Sequence, residues 1–277
     1  MLITDVRHKK RLIQAGKITW ETHLAGDGKR VLFAFHGFNR RYDDLIHLSS
    51  LLTGDYKVVS VSLFYHGSQF ERVNDIDAFT ADELRTGFQE LVSAFHVESY
   101  SAIGHSFGGR LALNMVEYGP SGLQELFLLA PDALRYHPGY RFLTGNRFGR
   151  FLMGNFKKDP SRVISMIKLF GKVGFYSPKT ANYFIHQITH QKVRFLVYDS
   201  WMTHRLTIPN LDRVAKKIND LAIRTELIFG RSDSLIPISQ GKRFQKKILH
   251  YGTLHIIEGG HRLYEQTTQI AKIIQYK

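Results

Sequence analysis

Cysteine is absent from the 277 residues. Its absence excludes disulfides, thiolate metal sites and a cysteine nucleophile, and it suits a reducing compartment. Long apolar runs are missing as well. No stretch reaches the roughly 18 apolar residues of a membrane span, so no transmembrane helix is expected. The N-terminal stretch Met1-Leu2-Ile3-Thr4-Asp5-Val6-Arg7-His8-Lys9-Lys10 has no apolar core of a secretory signal, and a cytoplasmic location is expected. No G-x-x-x-x-G-K-[ST] loop occurs, which argues against nucleotide binding. Acidic residues are scarce: 24 Asp and Glu face 38 Lys and Arg, a formal net charge of +14.

The positive charge is not spread evenly. Residues 135–205 hold thirteen Lys and Arg against two acids, Asp159 and Asp199, so 13 − 2 = +11. The same segment carries 14 of the 35 aromatics, and scattered glycines break its rhythm around helical pieces such as Ser161 to Phe170.

On either side of this segment, strand-like and helix-like stretches alternate. Strands are expected at Ile18–Leu24, Val31–Phe35, Lys57–Phe64, Tyr100–Ile103, Leu126–Ala130, Thr225–Phe229 and Leu254–Ile257. The run Val31-Leu32-Phe33-Ala34-Phe35 is continuously apolar, which suits a strand buried on both faces. Thr80-Ala81-Asp82-Glu83 forms a capping box, followed by Leu84, Phe88, Leu91, Val92 and Phe95 at helical spacing. Helices are also expected at Ser239–Leu249 and Arg262–Ile274. The expected fold is α/β, a doubly wound, mostly parallel sheet of the eight-stranded type with helices on both faces. Residues 1–134 and 206–277 form its core, and 135–205 an inserted basic, aromatic-rich helical lid.

Gly104-His105-Ser106-Phe107-Gly108 lies between a strand and a helix. A serine flanked by glycines at such a junction suits a tight turn that pushes its hydroxyl out above the sheet edge. The backbone N–H of Phe107 then faces any oxyanion that forms. A serine hydroxyl needs a base, commonly a histidine held by a carboxylate. In doubly wound sheets such groups gather outside the carboxyl ends of the strands. Asp233 follows one late strand in Phe229-Gly230-Arg231-Ser232-Asp233, and His261 follows the next in Glu258-Gly259-Gly260-His261. Plainer roles exist for each. Ser106 could be a small turn residue, Asp233 a cap for the helix near Pro237, and His261 a solvated helix-start residue. Asp132, after the strand that follows the elbow helix, is the rival acid.

The order Ser, Asp, His and five ordered motifs make the chain resemble the α/β-hydrolase superfamily over its whole length. The motifs are His36-Gly37, His66-Gly67-Ser68, Gly104 to Gly108, Gly230 with Asp233 and Pro237, and Gly260-His261. The resemblance implies Ser106 as nucleophile, His261 as general base and then acid, and Asp233 as its orienter. It also implies an oxyanion hole from the backbone N–H groups of Phe38 and Phe107. Two departures stand out. Similar enzymes often carry another glycine where this chain has Phe38-Asn39-Arg40-Arg41, and an aspartate where it reads Leu63-Phe64-Tyr65-His66-Gly67.

The expected activity is ester or thioester hydrolysis through an acyl-enzyme. A C–C bond hydrolase or lyase on a carboxylate-bearing substrate, and a ligand receptor on a hydrolase scaffold, are the alternatives. The basic, aromatic segment suggests an anionic or amphiphilic small-molecule substrate. Arg141, Arg147, Arg150 and Arg194 are its candidate anion binders. His36 and His105 are expected to support loop geometry by hydrogen bonds, with substrate binding in the pocket as their other reading. Contact with an anionic membrane is a second use for that charge, and a solvated basic face with no role is the plain one. No nucleic-acid-binding module is visible, so nucleic acid is not expected. His186 and His190 sit four apart without a third ligand, so neither a metal nor a cofactor is expected.

Overall fold

The structure is a computed structural model, and it describes residues 6–67, 78–136, 138–174 and 177–276. Ser68, the last residue of the His66-Gly67-Ser68 motif, lies outside the described residues. The chain divides into two compact units. The first ends its two upstream stretches at Glu71 and Arg135 and resumes at Thr207; the second is Tyr136–Leu206 with a short upstream piece ending at Phe79.

The first unit is built on one eight-stranded sheet. Its strands are β1 (Lys9–Ala15), β2 (Ile18–Ala25), β3 (Arg30–Phe35), β4 (Tyr56–Val61), β5 (Tyr100–His105), β6 (Leu123–Leu129), β7 (Arg224–Gly230) and β8 (Gly252–Ile257). The order is β1-β2-β4-β3-β5-β6-β7-β8. Strands β3 to β8 are parallel, while β1 runs antiparallel to β2 and β2 to β4, so the open sheet is mixed.

From β3 the chain winds outward to β4, then returns to place β5 on the other side of β3. That reversal is a switch point, where the loops leaving two neighbouring strands diverge and open a crevice at their carboxyl ends. The loops in question begin at His36 and at Ser106. All six residues of β5 are buried, and so are Val31 to Phe35 of β3, as continuous apolarity in a doubly covered strand requires.

Strand β1 is not apparent from its sequence. Lys9 to Leu12 are exposed, and only Ile13 and Ala15 face inward. It closes on β2 through Gly16 and Lys17, with Gly16 at φ 59°. A two-residue loop with glycine at positive φ is a hairpin signal, and it was the clue that this strand offered.

The helices before the insertion are α1 (Asp43–Ile46), α2 (Leu48–Leu51), α3 (Ala81–Ser93) and α4 (Phe107–Tyr118). The capping box of α3 is formed: Thr80 Oγ1 accepts from the Glu83 N–H at 3.2 Å, and the Glu83 carboxylate accepts from the Thr80 N–H at 2.9 Å. Leu84, Phe88, Leu91 and Val92 turn inward, and Trp20 stacks on Phe88.

Among the described residues the second unit holds five helices: α5 (Pro138–Gly145), α6 (Arg147–Lys158), α7 (Ser161–Lys172), α8 (Pro178–Thr189) and α9 (Gln191–Thr203). They pack on a cluster of Met153, Phe156, Ile188 and Met202, joined by Leu143, Val163, Ile164, Ile167, Val197 and Trp201. Arg194 is buried here, and its guanidinium donates to the carbonyls of Lys157, Ile188 and Thr189 at 3.1, 3.0 and 3.3 Å. Those carbonyls end α6 and α8, where the helix itself supplies no donor. A cation is favoured there by the helix dipole as well.

After the insertion come α10 (Leu211–Asp220), α11 (Ile238–Gln245) and α12 (Thr267–Gln275). The last helix starts later than its sequence suggests, because Leu263–Glu265 forms a single tight turn first. At the amino ends of the parallel strands, buried Glu125 accepts from Tyr56 Oη at 2.6 Å and Ser101 Oγ at 2.7 Å. Arg30 and Arg224 complete its partners, as a buried carboxylate requires. Among the described residues no helix is long and apolar enough to cross a membrane.

Candidate active site

Ser106 joins β5 to α4 with φ 51° and ψ −116°, a strained conformation for a residue with a side chain. The turn can be this tight because its flanks carry no Cβ. A Cβ on Gly104 would stand 2.5 Å from the Gly108 carbonyl oxygen, and one on Gly108 would stand 2.0 Å from that of Phe35. The turn is braced by main-chain bonds: the Ser106 N–H donates to Leu129 O at 2.9 Å, and the Asp132 N–H donates to Ser106 O at 2.7 Å.

The structure brings the three polar candidates into one line. His261 Nε2 lies 2.9 Å from Ser106 Oγ, and His261 Nδ1 lies 2.8 Å from Asp233 Oδ2. The Asp233 side chain is fully buried. Its other oxygen accepts from the N–H groups of Leu235 and Ile236 at 2.8 and 3.0 Å. Burial opposes the charge of Asp233, but the hydrogen bond and charge of His261 and those two N–H groups outweigh it and hold the carboxyl below its ordinary pKa. The rival acid points elsewhere. Asp132 Oδ2 accepts from Arg110 Nη2 at 2.6 Å, and that guanidinium lies over the Phe107 ring.

Phe38 and Phe107, the expected oxyanion residues, sit at the ends of β3 and β5 with their rings edge to face, 6.4 Å apart. Phe107 begins α4, where the first N–H groups have no partner within the helix and the dipole favours negative charge. The loop after Phe38 solves the problem of its missing glycine. Asn39 adopts φ 55°, a conformation that asparagine tolerates better than most residues.

Three neutral histidines hold these loops. His36 Nδ1–H donates to Gly37 O at 2.9 Å, and its Nε2 accepts from the Leu63 N–H at 3.0 Å. His66 Nδ1–H donates to Phe64 O at 2.7 Å, and its Nε2 accepts from the Asn39 N–H at 2.9 Å. His105 Nε2–H donates to the backbone carbonyl of His261 at 2.8 Å. Burial drives the pKa of His36 well below its ordinary value, that of His66 to about 4 and that of His105 to about 3. The last falls further because His261 is close.

His36 and His105 are buried and committed to backbone groups, the loop-supporting role expected of them first, and not the pocket-lining role that was its alternative. Arg194, a candidate anion binder, is corrected, since its guanidinium caps helix ends. Arg141 and Arg147 are exposed on α5 and α6, and Arg150 is partly so. Sequence reasoning assigned no clamp to His66 and no ion pair to Arg110. The only signal for the first was the His-Gly pair itself. His186 and His190 face each other at 4.8 Å between ring centroids, and among the described residues no three such side chains converge to hold a metal.

Comparison with known proteins bears on the fold that carries these residues. Over 130 residues the chain is 25% identical to the dihydrolipoyllysine-residue acetyltransferase component of the acetoin cleaving system of Pseudomonas putida. That match takes in 47% of this chain and 34% of the relative, so it spans about a third of the relative's length. Among solved structures, the thioesterase domain from the curacin biosynthetic pathway superposes with a TM-score of 0.65 at 14% identity, covering 98% of this chain and 100% of that one. The 2-hydroxy-6-oxo-6-phenylhexa-2,4-dienoate hydrolase of Rhodococcus sp. strain RHA1 gives 0.64 at 15% identity, covering 98% of each chain. At such identities these structures speak for the fold alone. A sequence profile described as alpha/beta hydrolase fold matches residues 30–267, from the start of β3 to the start of α12, and by that match the chain belongs to the alpha/beta hydrolase family.

Proposed function

We propose that the protein is a serine hydrolase that cleaves an ester or thioester by acyl transfer to Ser106 and then to water. The observation that carries this reading is His261, within hydrogen-bond distance of Ser106 Oγ through one ring nitrogen and of Asp233 through the other. With Nδ1–H donated to Asp233, Nε2 is left to accept the serine proton.

In this reading Ser106 Oγ attacks the substrate carbonyl as its proton passes to His261 Nε2. The carbonyl oxygen becomes an oxyanion that accepts from the Phe107 and Phe38 N–H groups, each contributing roughly 3 kcal/mol to the transition state. The tetrahedral species collapses, and His261 gives its proton to the departing alcohol or thiol. A water then repeats the sequence on the acyl-enzyme, with His261 first accepting and then returning a proton to Ser106. Asp233 stays ionised throughout, which its depressed pKa favours.

The substrate is an acyl compound with an anionic or amphiphilic group. Residues 135–205 serve as the lid, with Arg141, Arg147 and Arg150 drawing the anion by their charge. Ser106→Ala tests the mechanism. It abolishes labelling by a fluorophosphonate probe and lowers ester turnover by about a thousandfold or more. Undiminished labelling of the variant would falsify the assignment.

A further inference from the structure

The second unit has more apolar surface than its own core uses. Nine of the sixteen large apolar side chains exposed among the described residues belong to it. They are arranged by helical spacing. On α6, Gly149, Met153 and Phe156 are buried, while Phe148 and Phe151 stand on the solvent side with Asn155 and Lys158. Phe142 of α5 meets Phe148 ring to ring. On α7, Val163, Ile164 and Ile167 pack on the cluster beneath, and the row Arg162, Met166, Leu169, Val173 faces out at steps of four, three and four. Phe148, Phe151, Met166, Leu169 and Val173 are each more than half exposed. Apolar rows of this kind on the outside of helices whose other face already packs on the cluster call for an occupant.

The charge on the unit says which. Residues 135–205 carry +11, and their two carboxylates cannot neutralise thirteen cations; Asp199 is already paired with Lys157 at 3.1 Å. A second copy of this surface would bring +11 against +11. A strongly anionic surface with an apolar interior complements both features at once.

We propose that the second unit docks on anionic lipid bilayers through the solvent faces of α6 and α7. Phe148, Phe151 and Leu169 enter the acyl boundary, while Arg147, Lys158, Arg162 and Lys172 lie at the headgroup phosphates. Interfacial helices bind in this manner, by buried apolar area together with attraction to anionic lipid. The proposal goes beyond the hydrolase reading, and its test reads binding alone.

The full chain, as wild type and as Ser106→Ala, is sedimented with vesicles of phosphatidylcholine containing about 30% phosphatidylserine, and with pure phosphatidylcholine. Both proteins partition onto the anionic vesicles alike, roughly tenfold or more better than onto neutral ones, and raising the salt to about 0.5 M weakens binding strongly. The triple variant Phe148→Ser, Phe151→Ser, Leu169→Ser loses roughly tenfold in partition at low salt. These side chains are exposed, so the variant keeps its far-UV circular dichroism and its melting temperature. No preference for anionic vesicles, or full binding by the triple variant, overturns the proposal. So does a wild-type oligomer in sedimentation velocity that dissociates in the triple variant and shows no affinity for vesicles.

Discussion

His105 Nε2–H donates to the backbone carbonyl of His261, 2.8 Å away, so the residue before the candidate nucleophile fixes the main chain of its candidate base. The bond links the end of β5 to the loop after β8, two parts of the chain that share the site but not a strand pair. A buried neutral ring suits the task, because it donates one directed hydrogen bond and brings no competing charge to His261.

Replacing His105 therefore acts on catalysis through position. His105→Leu removes the donor and lets His261 shift, and kcat falls by roughly tenfold to a hundredfold while KM changes little. His105→Gln, whose amide can still donate, recovers part of the loss. The ratio of the two kcat values, taken from steady-state ester hydrolysis, checks the claim. A loss confined to KM would mean that the ring touches substrate.

The two aspartates separate by what each one holds. Asp233→Asn leaves the geometry but favours the wrong His261 tautomer, so kcat falls by about 10³ to 10⁴. Asp132→Asn keeps most of kcat and instead lowers stability by roughly 1 to 2 kcal/mol, because the charge-assisted hydrogen bond from Arg110 weakens. Paired kinetics and urea melts of the two variants distinguish these outcomes, and a catalytic collapse in Asp132→Asn would make it the acid.

Much of the site was legible because its pattern is local. Gly104 to Gly108 encodes its own turn, and Asp233 and His261 announce themselves by following apolar runs. The supporting contacts are different. His36 accepts from Leu63 and His66 from Asn39, each 27 positions away, and the partners are backbone N–H groups that any residue except proline offers. No residue type at the partner position encodes such a bond. Arg194 misled for the same reason: its partners are carbonyls at helix ends, so its sequence looked like free charge. Strand β1 was hidden by its place at the sheet edge, where Lys9 to Leu12 can stay in water and the apolar alternation shrinks to Ile13 and Ala15.

The buried histidines also make the fold sensitive to acid. Unfolded histidine titrates near 6.5, whereas His66 and His105 in the folded chain titrate near 4 and 3, and His36 well below 6.5. Between these limits the unfolded state binds more protons, so their contribution is complete above about pH 6.5. It falls as the pH drops towards about 4 for His66 and about 3 for His105. Each histidine adds a slope of up to about 1.4 kcal/mol per pH unit. Urea midpoints measured from pH 7 to pH 4.5 decline steeply, and His66→Asn flattens the decline by about one proton. An unchanged slope in that variant would show that His66 titrates alike in the folded and unfolded chain.

Glycines give a contrast that needs no assay of activity. A Cβ at Gly154, inside α6, would meet no atom within 4 Å, so Gly154→Ala gains helix propensity and stabilises by about 0.5 to 1 kcal/mol. At Gly108, one turn into the site, the same methyl would stand 2.0 Å from the Phe35 carbonyl oxygen and 2.4 Å from that of His36. Neither oxygen can give way, because Phe35 is the last residue of a central strand and His36 begins the loop that carries Phe38. Gly108→Ala therefore destabilises, and it displaces Ser106 from His261 even where the protein still folds. Melting temperatures should move in opposite directions for the two alanine variants, with fluorophosphonate labelling retained in Gly154→Ala and slowed in Gly108→Ala. Equal melting temperatures would mean that the packing of α4 against β3 is looser than these distances allow.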